Sequence, residues 1–292
     1  MRPIISSFAL AAAVVLAAVA CAPDDKPTSP LTAGASVKQG GVPDLSALPD
    51  LTVDSKSTQN NWIVRVEDLP ANFCSVEEGN ITPGEHTLLR FTVTTPNIGK
   101  GDVFIGSPLD HYNAGDGLFE FATCHKHFHF THYATYRLID KNGKEWKSAK
   151  RGFCMLDTDP FNTNSGDGRW TYRNCGTLTA DGFQGISAGW ADTYVFKLGG
   201  QYFLLDGGDG QPPVPPGVYT IRVEVNPAYV PDNGGPCLRF IDPNGMCRQF
   251  KETNYANNVG EATVIITDHP GRSGYGTIKD NTKITAADEI EK

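Results

Sequence analysis

Three histidines stand close together in this chain, at positions 125, 127 and 129, directly after Cys124. Neutral imidazole is the commonest side-chain ligand of transition metals, so this stretch predicts a metal site. On a regular strand the Cα atoms of His125 and His129 would lie about 13 Å apart, whereas metal–nitrogen bonds are only about 2 Å long. The segment must therefore curl around the ion, or the ion must sit where the strand ends.

An aromatic-rich strand with exposed histidines is the alternative for this stretch. Phe128 and Phe130 alternate with the histidines, and we expect them to face away from the metal and pack into the core. The density of histidines favours the metal site, because three of the seven histidines of the chain fall within this one stretch. His132 follows closely and is expected to be either a fourth ligand or a proton relay.

The rest of the chain must supply the elements that position these rings. Apolar and polar residues alternate with the two-residue period of half-buried strands in the segments 88–93, 134–138, 190–198, 219–225 and 262–267. Short strands of this kind are separated by turns and loops rich in Gly, Pro, Asn and Asp, and no stretch beyond the N-terminus keeps a helical period for three turns. The pattern predicts an all-β fold, a β-sandwich with long loops.

The N-terminus indicates export. A short apolar run, too short to span a bilayer, predicts that residues 1–20 are a signal peptide. Cys21 follows small residues, as the lipid-bearing cysteine of bacterial lipoproteins does, and ordinary signal cleavage nearby is the alternative. We expect residues 21–44 to be a lipidated flexible tether, 45–270 the folded domain and 271–292 a loose polar tail.

Charge and cysteine content narrow the partners and the compartment. The net charge is -8, and removal of residues 1–20 takes away only Arg2, which leaves -9. An acidic balance argues against nucleic acid as a partner and favours a cationic one. With lipid on Cys21, six cysteines remain, and an even number in an oxidising compartment predicts three disulfides. The sequence by itself leaves their pairing open.

Several motifs, taken together in their order, resemble the lysyl oxidase family of copper amine oxidases. Cys124 and the three alternating histidines match the family's copper motif, which implies copper bound by His125, His127 and His129. The other matching segments are LPDL (48–51), KRGFCMLDT (150–158), QGIS (184–187), DTY (192–194), PGVY (216–219), VNP (225–227) and NYANN (254–258). The resemblance covers residues 45–265 and implies the family's all-β, disulfide-linked catalytic domain.

The resemblance also implies a cofactor that the protein makes for itself, lysine tyrosylquinone, formed by joining Lys150 to Tyr194. It implies oxidative deamination of primary amines, such as peptidyl lysine, to aldehydes, with dioxygen consumed and ammonia and hydrogen peroxide released. Asp192 is the expected general base, because it lies on the same face of the predicted strand as Tyr194 and burial would raise its pKa. Taken singly, these residues could instead be a surface lysine, a core tyrosine and a carboxylate that orients a histidine ligand.

The family's structural calcium site is matched by oxygen-bearing positions in two distant segments. These positions are Asp50, Leu51, Glu252, Asn254, Asn257 and Asn258. Oxygen ligands are what calcium requires, although Asn254 replaces a family carboxylate. The alternative is a turn in which the asparagine side chains cap backbone groups.

Disulfide pairing follows partly from the resemblance. The family pairing implies Cys124–Cys175, and the spacing of Cys237 and Cys247 around a turn suits a local bridge. Cys74 and Cys154 are then left for each other.

The leading functional hypothesis is therefore an exported, lipid-anchored, copper- and quinone-dependent amine oxidase of a bacterial cell envelope, on its periplasmic or outer side. One alternative is a copper-binding lipoprotein of the same fold without a catalytic cofactor. Another is a cell-surface adhesion domain whose histidines are incidental.

Overall fold

Antiparallel strands make up most of the regular structure of this protein. The computed structural model describes residues 43–79, 81–161, 170–231, 235–237, 239–271, 273–280 and 282–290. The predicted signal peptide, and the predicted tether except for its last two residues, lie outside these ranges. Within the described part of the chain, no helix combines the length and the hydropathy that a membrane span requires.

The strands of the described residues, in chain order, are β1 (Trp62–Leu69), β2 (Gly84–Phe91), β3 (Val93–Pro96), β4 (Val103–Phe104), β5 (Phe119–Ala122), β6 (His127–Phe130), β7 (Ala134–Asp140), β8 (Glu145–Lys147), β9 (Asp159–Pro160), β10 (Gly185–Ile186), β11 (Trp190–Tyr194), β12 (Tyr202–Leu204), β13 (Gly217–Val225), β14 (Phe240–Ile241), β15 (Cys247–Arg248), β16 (Val259–Ile266) and β17 (Tyr275–Gly276). The helices are short, namely α1 (Ser55–Asn60), α2 (Cys74–Glu77), α3 (Pro108–Ala114) and α4 (Ala286–Glu289). The prediction of an all-β fold is confirmed.

Two four-stranded antiparallel sheets form the body of the domain. Their strand orders are β12-β2-β1-β17 and β16-β13-β7-β8. Apolar side chains of both sheets belong to one buried core, in which Phe91 of the first sheet meets Tyr136 of the second with ring centroids 5.5 Å apart. The alternation that predicted β7 and β13 is the physical reason, since it gives each strand one apolar face to bury.

Smaller sheets sit beside this body and carry the residues expected to be functional. The pair β5–β6 holds His127 and His129, and Phe128 and Phe130 are fully buried as predicted. Strand β11, which carries Asp192 and Tyr194, pairs with β3 and β9. The predicted strand 190–198 is therefore shorter than expected, because its pairing with β3 ends at Tyr194.

Two of the three expected disulfides are wrong. The bridge Cys237–Cys247 is present as expected, but the others are Cys74–Cys124 and Cys154–Cys175 rather than Cys124–Cys175 and Cys74–Cys154. A disulfide requires Cα atoms within about 7 Å of each other, and only the fold decides which cysteines meet this condition. The start of α2 lies against the segment before the histidines, so Cys74 is 5.4 Å from Cys124 between Cα atoms.

The segment after residue 270 differs from the loose tail expected. β17 pairs with β1, and Thr277 exchanges hydrogen bonds with the backbone of Trp62. Ile284 is buried in a second apolar cluster with Tyr202 and Ala149. The polar composition suggested a solvated tail, but its few apolar residues and its backbone groups find partners on the body of the domain.

Candidate metal centre and lysine–tyrosine pair

A turn before β6 brings the three histidines together. Lys126 adopts a φ of 60°, in the left-handed region, and its N–H donates to the carbonyl of Ala122 at 2.7 Å. His125 therefore precedes the strand instead of continuing it, and its ring folds back over those of His127 and His129. The sequence left open whether the segment curls or the ion sits where the strand ends; the chain curls at Lys126, and the rings meet where β6 begins.

The three imidazole rings converge on one small volume. Their centroids lie 4.9 to 5.5 Å apart, and the Nε2 atoms of His127 and His129 are 3.2 Å apart. All three side chains are buried, and Nε2 of His125 has no hydrogen-bond partner. A buried nitrogen without a partner costs free energy, and a metal ion at this point would satisfy it. The donor set fits a transition metal that takes imidazole ligands.

Burial keeps two of these rings neutral. It lowers the pKa of His127 to about 4, with a smaller contribution from His125. It lowers the pKa of His129 much further, and the nearby Lys150 adds to the effect. Both rings thus present free lone pairs at neutral pH, so metal binding to them requires no loss of protons.

Glu78, at the end of α2, is a residue of this site that the sequence did not reveal. Its Oε2 lies 2.7 Å from Nδ1 of His125, and its Oε1 accepts from the N–H of Cys124 at 2.6 Å. Since a carboxylate only accepts, Nδ1 carries the hydrogen and Nε2 keeps its lone pair for a metal. Glu78, His125 and His129 also offer ligand atoms that all lie within 4.8 Å of one another. The Cys74–Cys124 bridge places α2 beside the histidines, but the sequence left this pairing open and so gave no signal for Glu78.

Lys150 and Tyr194 meet beside the histidines, as predicted. Nζ of Lys150 lies 4.9 Å from the centroid of the Tyr194 ring and 5.5 Å from that of Phe153. The Tyr194 hydroxyl donates to the carbonyl of Cys154 at 2.9 Å, which fixes the ring. A Cβ on Gly152 would stand 2.1 Å from Nδ1 of His129, so the segment following Lys150 runs directly along this ring.

The pair lies in an environment that changes its ionisation. Burial lowers the pKa of Lys150 to about 7, while the carboxylates of Asp192, Glu289 and Glu78 act in the opposite direction. Burial raises the pKa of Tyr194 well above its ordinary value, and Asp192 adds to the rise. At neutral pH a large fraction of Lys150 is therefore a neutral, nucleophilic amine next to a protonated phenol.

Asp192 lies within this group, and His132 does not. Asp192 is 2% exposed and acts on the pKa values of Lys150, Tyr194 and Tyr133. His132 is exposed and stacks on Tyr229 with ring centroids 5.3 Å apart. His132, whose backbone φ is 57°, is thus not among the residues whose ligand atoms the structure brings together at the histidine cluster.

A second group of polar residues forms where the start of the domain meets the segment before β16. Glu252 is buried, with Oε1 accepting from the side-chain amides of Asn226 and Asn258 at 2.7 Å and Oε2 from the N–H of Leu51 at 2.6 Å. Asn257 donates to Asp50 at 2.8 Å.

Not every member expected in this second group takes part. The side-chain oxygens of Asn257 and Asn258 are buried and have no hydrogen-bond partner. Asn254, in contrast, is exposed, and its side-chain oxygen accepts from the N–H of Ala256 at 3.0 Å. Asn254 thus caps a turn, which was the alternative for this segment.

Fold and site define a disulfide-linked all-β domain in which three converging histidines, a candidate metal centre, lie next to a lysine–tyrosine pair. The lysyl oxidase family model matches residues 67–233, and the chain belongs to this family.

Curated relatives agree with this membership. The chain is 29% identical to lysyl oxidase homolog 2 of Bos taurus over 203 residues, which is 65% of the chain and 23% of the relative. It is 28% identical to protein-lysine 6-oxidase of Homo sapiens over 235 residues, or 76% of the chain and 46% of the relative. It is 30% identical to lysyl oxidase homolog 2 of Mus musculus over 207 residues, which is 66% of the chain and 24% of the relative. The chain thus spans about a quarter to a half of the length of these relatives.

Proposed function

We propose that this protein is an extracytoplasmic, copper-dependent amine oxidase that converts primary amines to aldehydes with release of ammonia and hydrogen peroxide. In this proposal His125, His127 and His129 bind copper, and Lys150 and Tyr194 are joined into lysine tyrosylquinone. The observation that carries the proposal is the position of Lys150, whose Nζ lies 4.9 Å from the Tyr194 ring centroid beside the three converging imidazoles. Neither a surface lysine nor a core tyrosine requires this arrangement.

Copper and the quinone, when present, supply the redox chemistry with dioxygen as the oxidant. The residues of the chain prepare the site for it. Glu78 holds the His125 ring so that Nε2 points to the metal, and burial keeps His127 and His129 neutral. The low pKa of Lys150 provides the free amine that bond formation to the tyrosine ring requires.

Asp192 is the proposed general base of amine oxidation. It is a buried carboxylate on the same strand as Tyr194, two residues away, and close enough to Lys150 to act on its pKa. A base in this position accepts a proton from the substrate carbon next to the nitrogen. A small cavity of about 20 Å³, enough for a single water molecule, is lined by His125, His129 and Lys150.

Peptide mapping of copper-loaded protein tests the cofactor. We expect the peptides that contain Lys150 and Tyr194 to be covalently joined, and Lys150→Ala to abolish both the link and peroxide production from amines. Lys147→Ala, which changes an exposed lysine of β8, is the matched control. Separate peptides in an enzyme that oxidises amines would rule out the quinone. Copper binding without a link or peroxide would favour the copper-binding lipoprotein instead.

The substrate and the location complete the proposal. The relatives named protein-lysine 6-oxidase support a lysine-containing protein or another primary amine as the substrate, and the net charge of the chain favours a cationic one. The signal-like N-terminus supports export, with lipid on Cys21 as the membrane anchor. Cys21→Ser should release the protein from the membrane fraction of cells, and unchanged fractionation would exclude the anchor.

We also propose that calcium binds the second polar group, through Asp50, Leu51, Glu252, Asn257 and Asn258. Two buried amide oxygens without partners, next to a buried carboxylate, support this proposal. Asn254 is left out of the ligand set, because its side chain is used in a turn.

A further inference from the structure

The segment of residues 273–290 lies beyond residues 67–233, the range that the family model matches. Its β17 extends the sheet through β1, and its α4 lies against α2. Its Ile284 is buried in the same apolar cluster as Ala149, the neighbour of Lys150. The segment is therefore packed against α2, which is followed by Glu78, and against the neighbour of Lys150.

Glu289, in α4, is the charged residue that this segment inserts into the domain. It is 0% exposed. Its Oε2 accepts from the N–H of Ser75 at 3.1 Å and from the Ser75 hydroxyl, and its Oε1 lies 3.7 Å from Nη2 of Arg90. A carboxylate loses its hydration on burial, so its place in the interior depends on these partners.

A single glycine separates this carboxylate from the metal-binding nitrogen of His125. Gly199 donates its N–H to the main-chain carbonyl of Glu289 at 3.1 Å. A Cβ on Gly199 would stand 3.4 Å from Nε2 of His125 and 3.5 Å from Oε2 of Glu289. The next residue, Gly200, lies close to Lys150, since a Cβ placed on Gly200 would stand 2.9 Å from Cα of Lys150.

The contact with Ser75 reaches His125 by a second route. Ser75 lies in α2 one turn before Glu78, the residue that holds Nδ1 of His125. Cys74, next to Ser75, is joined to Cys124, next to His125. A movement of Ser75 would therefore change the position of His125 through both the Glu78 carboxylate and the Cys74–Cys124 disulfide.

We propose that Glu289 is a positioning residue of the copper site. It does not contact the metal. It fixes α2 through Ser75 and the 199–200 turn through its main-chain carbonyl, and these two elements approach the His125 ring at Nδ1, through Glu78, and at Nε2, through Gly199. The inference rests on the proposed function insofar as His125, His127 and His129 bind copper, but its tests do not depend on amine oxidation.

Copper affinity, measured by competition with a chromogenic chelator, is the first test. Since supporting residues around a metal site affect affinity by about 10- to 100-fold, we expect Glu289→Gln to weaken copper binding about tenfold and Glu289→Ala to weaken it more. The electron paramagnetic resonance spectrum of bound Cu²⁺ should shift in both variants. Glu261→Gln, which removes the charge of an exposed carboxylate on β16, should change neither property.

Hydrogen exchange of the metal-free protein is the second test. The N–H of Cys124 is protected by its bond to Glu78, so it should exchange faster in Glu289→Gln than in the unchanged protein. Ile284→Val serves as the comparison for a purely structural role, because it loosens the packing of the same segment without removing the carboxylate. It should lower the melting temperature and leave copper affinity unchanged.

The outcomes separate this inference from the proposed function. If the Glu289 variants lower only the melting temperature, as Ile284→Val does, the positioning role is wrong. Suppose instead that the Glu289 variants weaken copper binding, and that neither they nor the unchanged protein form peroxide from amines. The positioning role then holds and the proposed function fails. A protein that binds no copper at all would overturn both.

Discussion

Two regions of this protein place an ionisable group in the interior, and burial moves both pKa values to about 7 from opposite sides. The pKa of Lys150 falls from 10.5, and the pKa of Glu252 rises from 4.5. The partners differ. Glu252 accepts hydrogen bonds from Asn226, Asn258 and Leu51, whereas Nζ of Lys150 lies over the rings of Tyr194 and Phe153.

The difference indicates what each region is for. A carboxylate surrounded by amide donors holds two distant parts of the chain together, which is a structural task. An amine over an oxidisable ring, next to imidazoles that keep their lone pairs, is the arrangement that the proposed function requires. The same cost of burial thus supports rigidity in one region and chemistry in the other.

Removal of the phenol should have the largest effect on the reactive region. Tyr194→Phe should abolish the quinone absorbance and peroxide production, because the ring can no longer be oxidised to a quinone. Copper affinity should stay unchanged, since the Tyr194 hydroxyl bonds to the carbonyl of Cys154. Tyr112→Phe, at an exposed tyrosine, is the control. If Tyr194→Phe lost copper binding as well as the quinone, copper binding would depend on the Tyr194 hydroxyl, contrary to this prediction.

A smaller effect is expected from the residue that orients His125. Glu78→Gln should weaken copper binding about 10- to 100-fold, because it removes the carboxylate that holds Nδ1 of the ring. Glu77→Gln, an exposed neighbour in α2, should bind copper normally. Competition with a chelator measures the copper affinity of both variants. Equal affinities would show that Glu78 does not support copper binding.

The pH dependence of cofactor formation should follow Lys150. Below pH 7 the amine is protonated and has no free lone pair, so the rate of cross-linking should rise about tenfold per pH unit there. Above about pH 7 the amine is neutral and the rate should level off. Absorbance of the quinone after copper addition gives the rate. A rate that keeps rising toward pH 10.5, the ordinary pKa of lysine, would contradict the low pKa of Lys150.

The smallest effect should come from the structural region. Between pH 4.5 and about 7 the folded protein binds the Glu252 proton more tightly than the unfolded chain, so without a cation this group lowers stability as pH rises through that window. Calcium should therefore raise the melting temperature more above pH 7 than near pH 5. At a hundredfold excess over its dissociation constant the rise should be roughly 5–10 °C.

The control for this last experiment is Glu252→Gln. It removes the negative charge but keeps the shape of the side chain, so calcium should no longer shift its melting curve. A calcium shift of equal size in this variant, or at every pH, would place the cation elsewhere.

Part of the candidate site could be predicted from local pattern. The histidine stretch was recognisable from residue type and spacing, whereas Lys150 and Tyr194 were recognisable only through the resemblance to the lysyl oxidase family. Glu78 and Glu289 were not, since a carboxylate that acts by hydrogen bonding carries no spacing signal. The disulfides show the same limit. The predicted pairing within a short loop, Cys237–Cys247, was correct, and both predicted pairings between more distant cysteines were wrong.

The amino-acid sequence by itself determined the all-β class and the cluster of three histidines, and its resemblance to the lysyl oxidase family pointed to Lys150 and Tyr194. The first two properties depend on alternation along strands and on residue type, which are local. Only the tertiary structure decided that α2 and the C-terminal segment close around His125, because packing between segments far apart in the chain depends on the whole core. The tail expected to be loose is the clearest case, since the buried carboxylate of Glu289 has its partners in α2 and in β2, and the main-chain carbonyl of Glu289 accepts from Gly199.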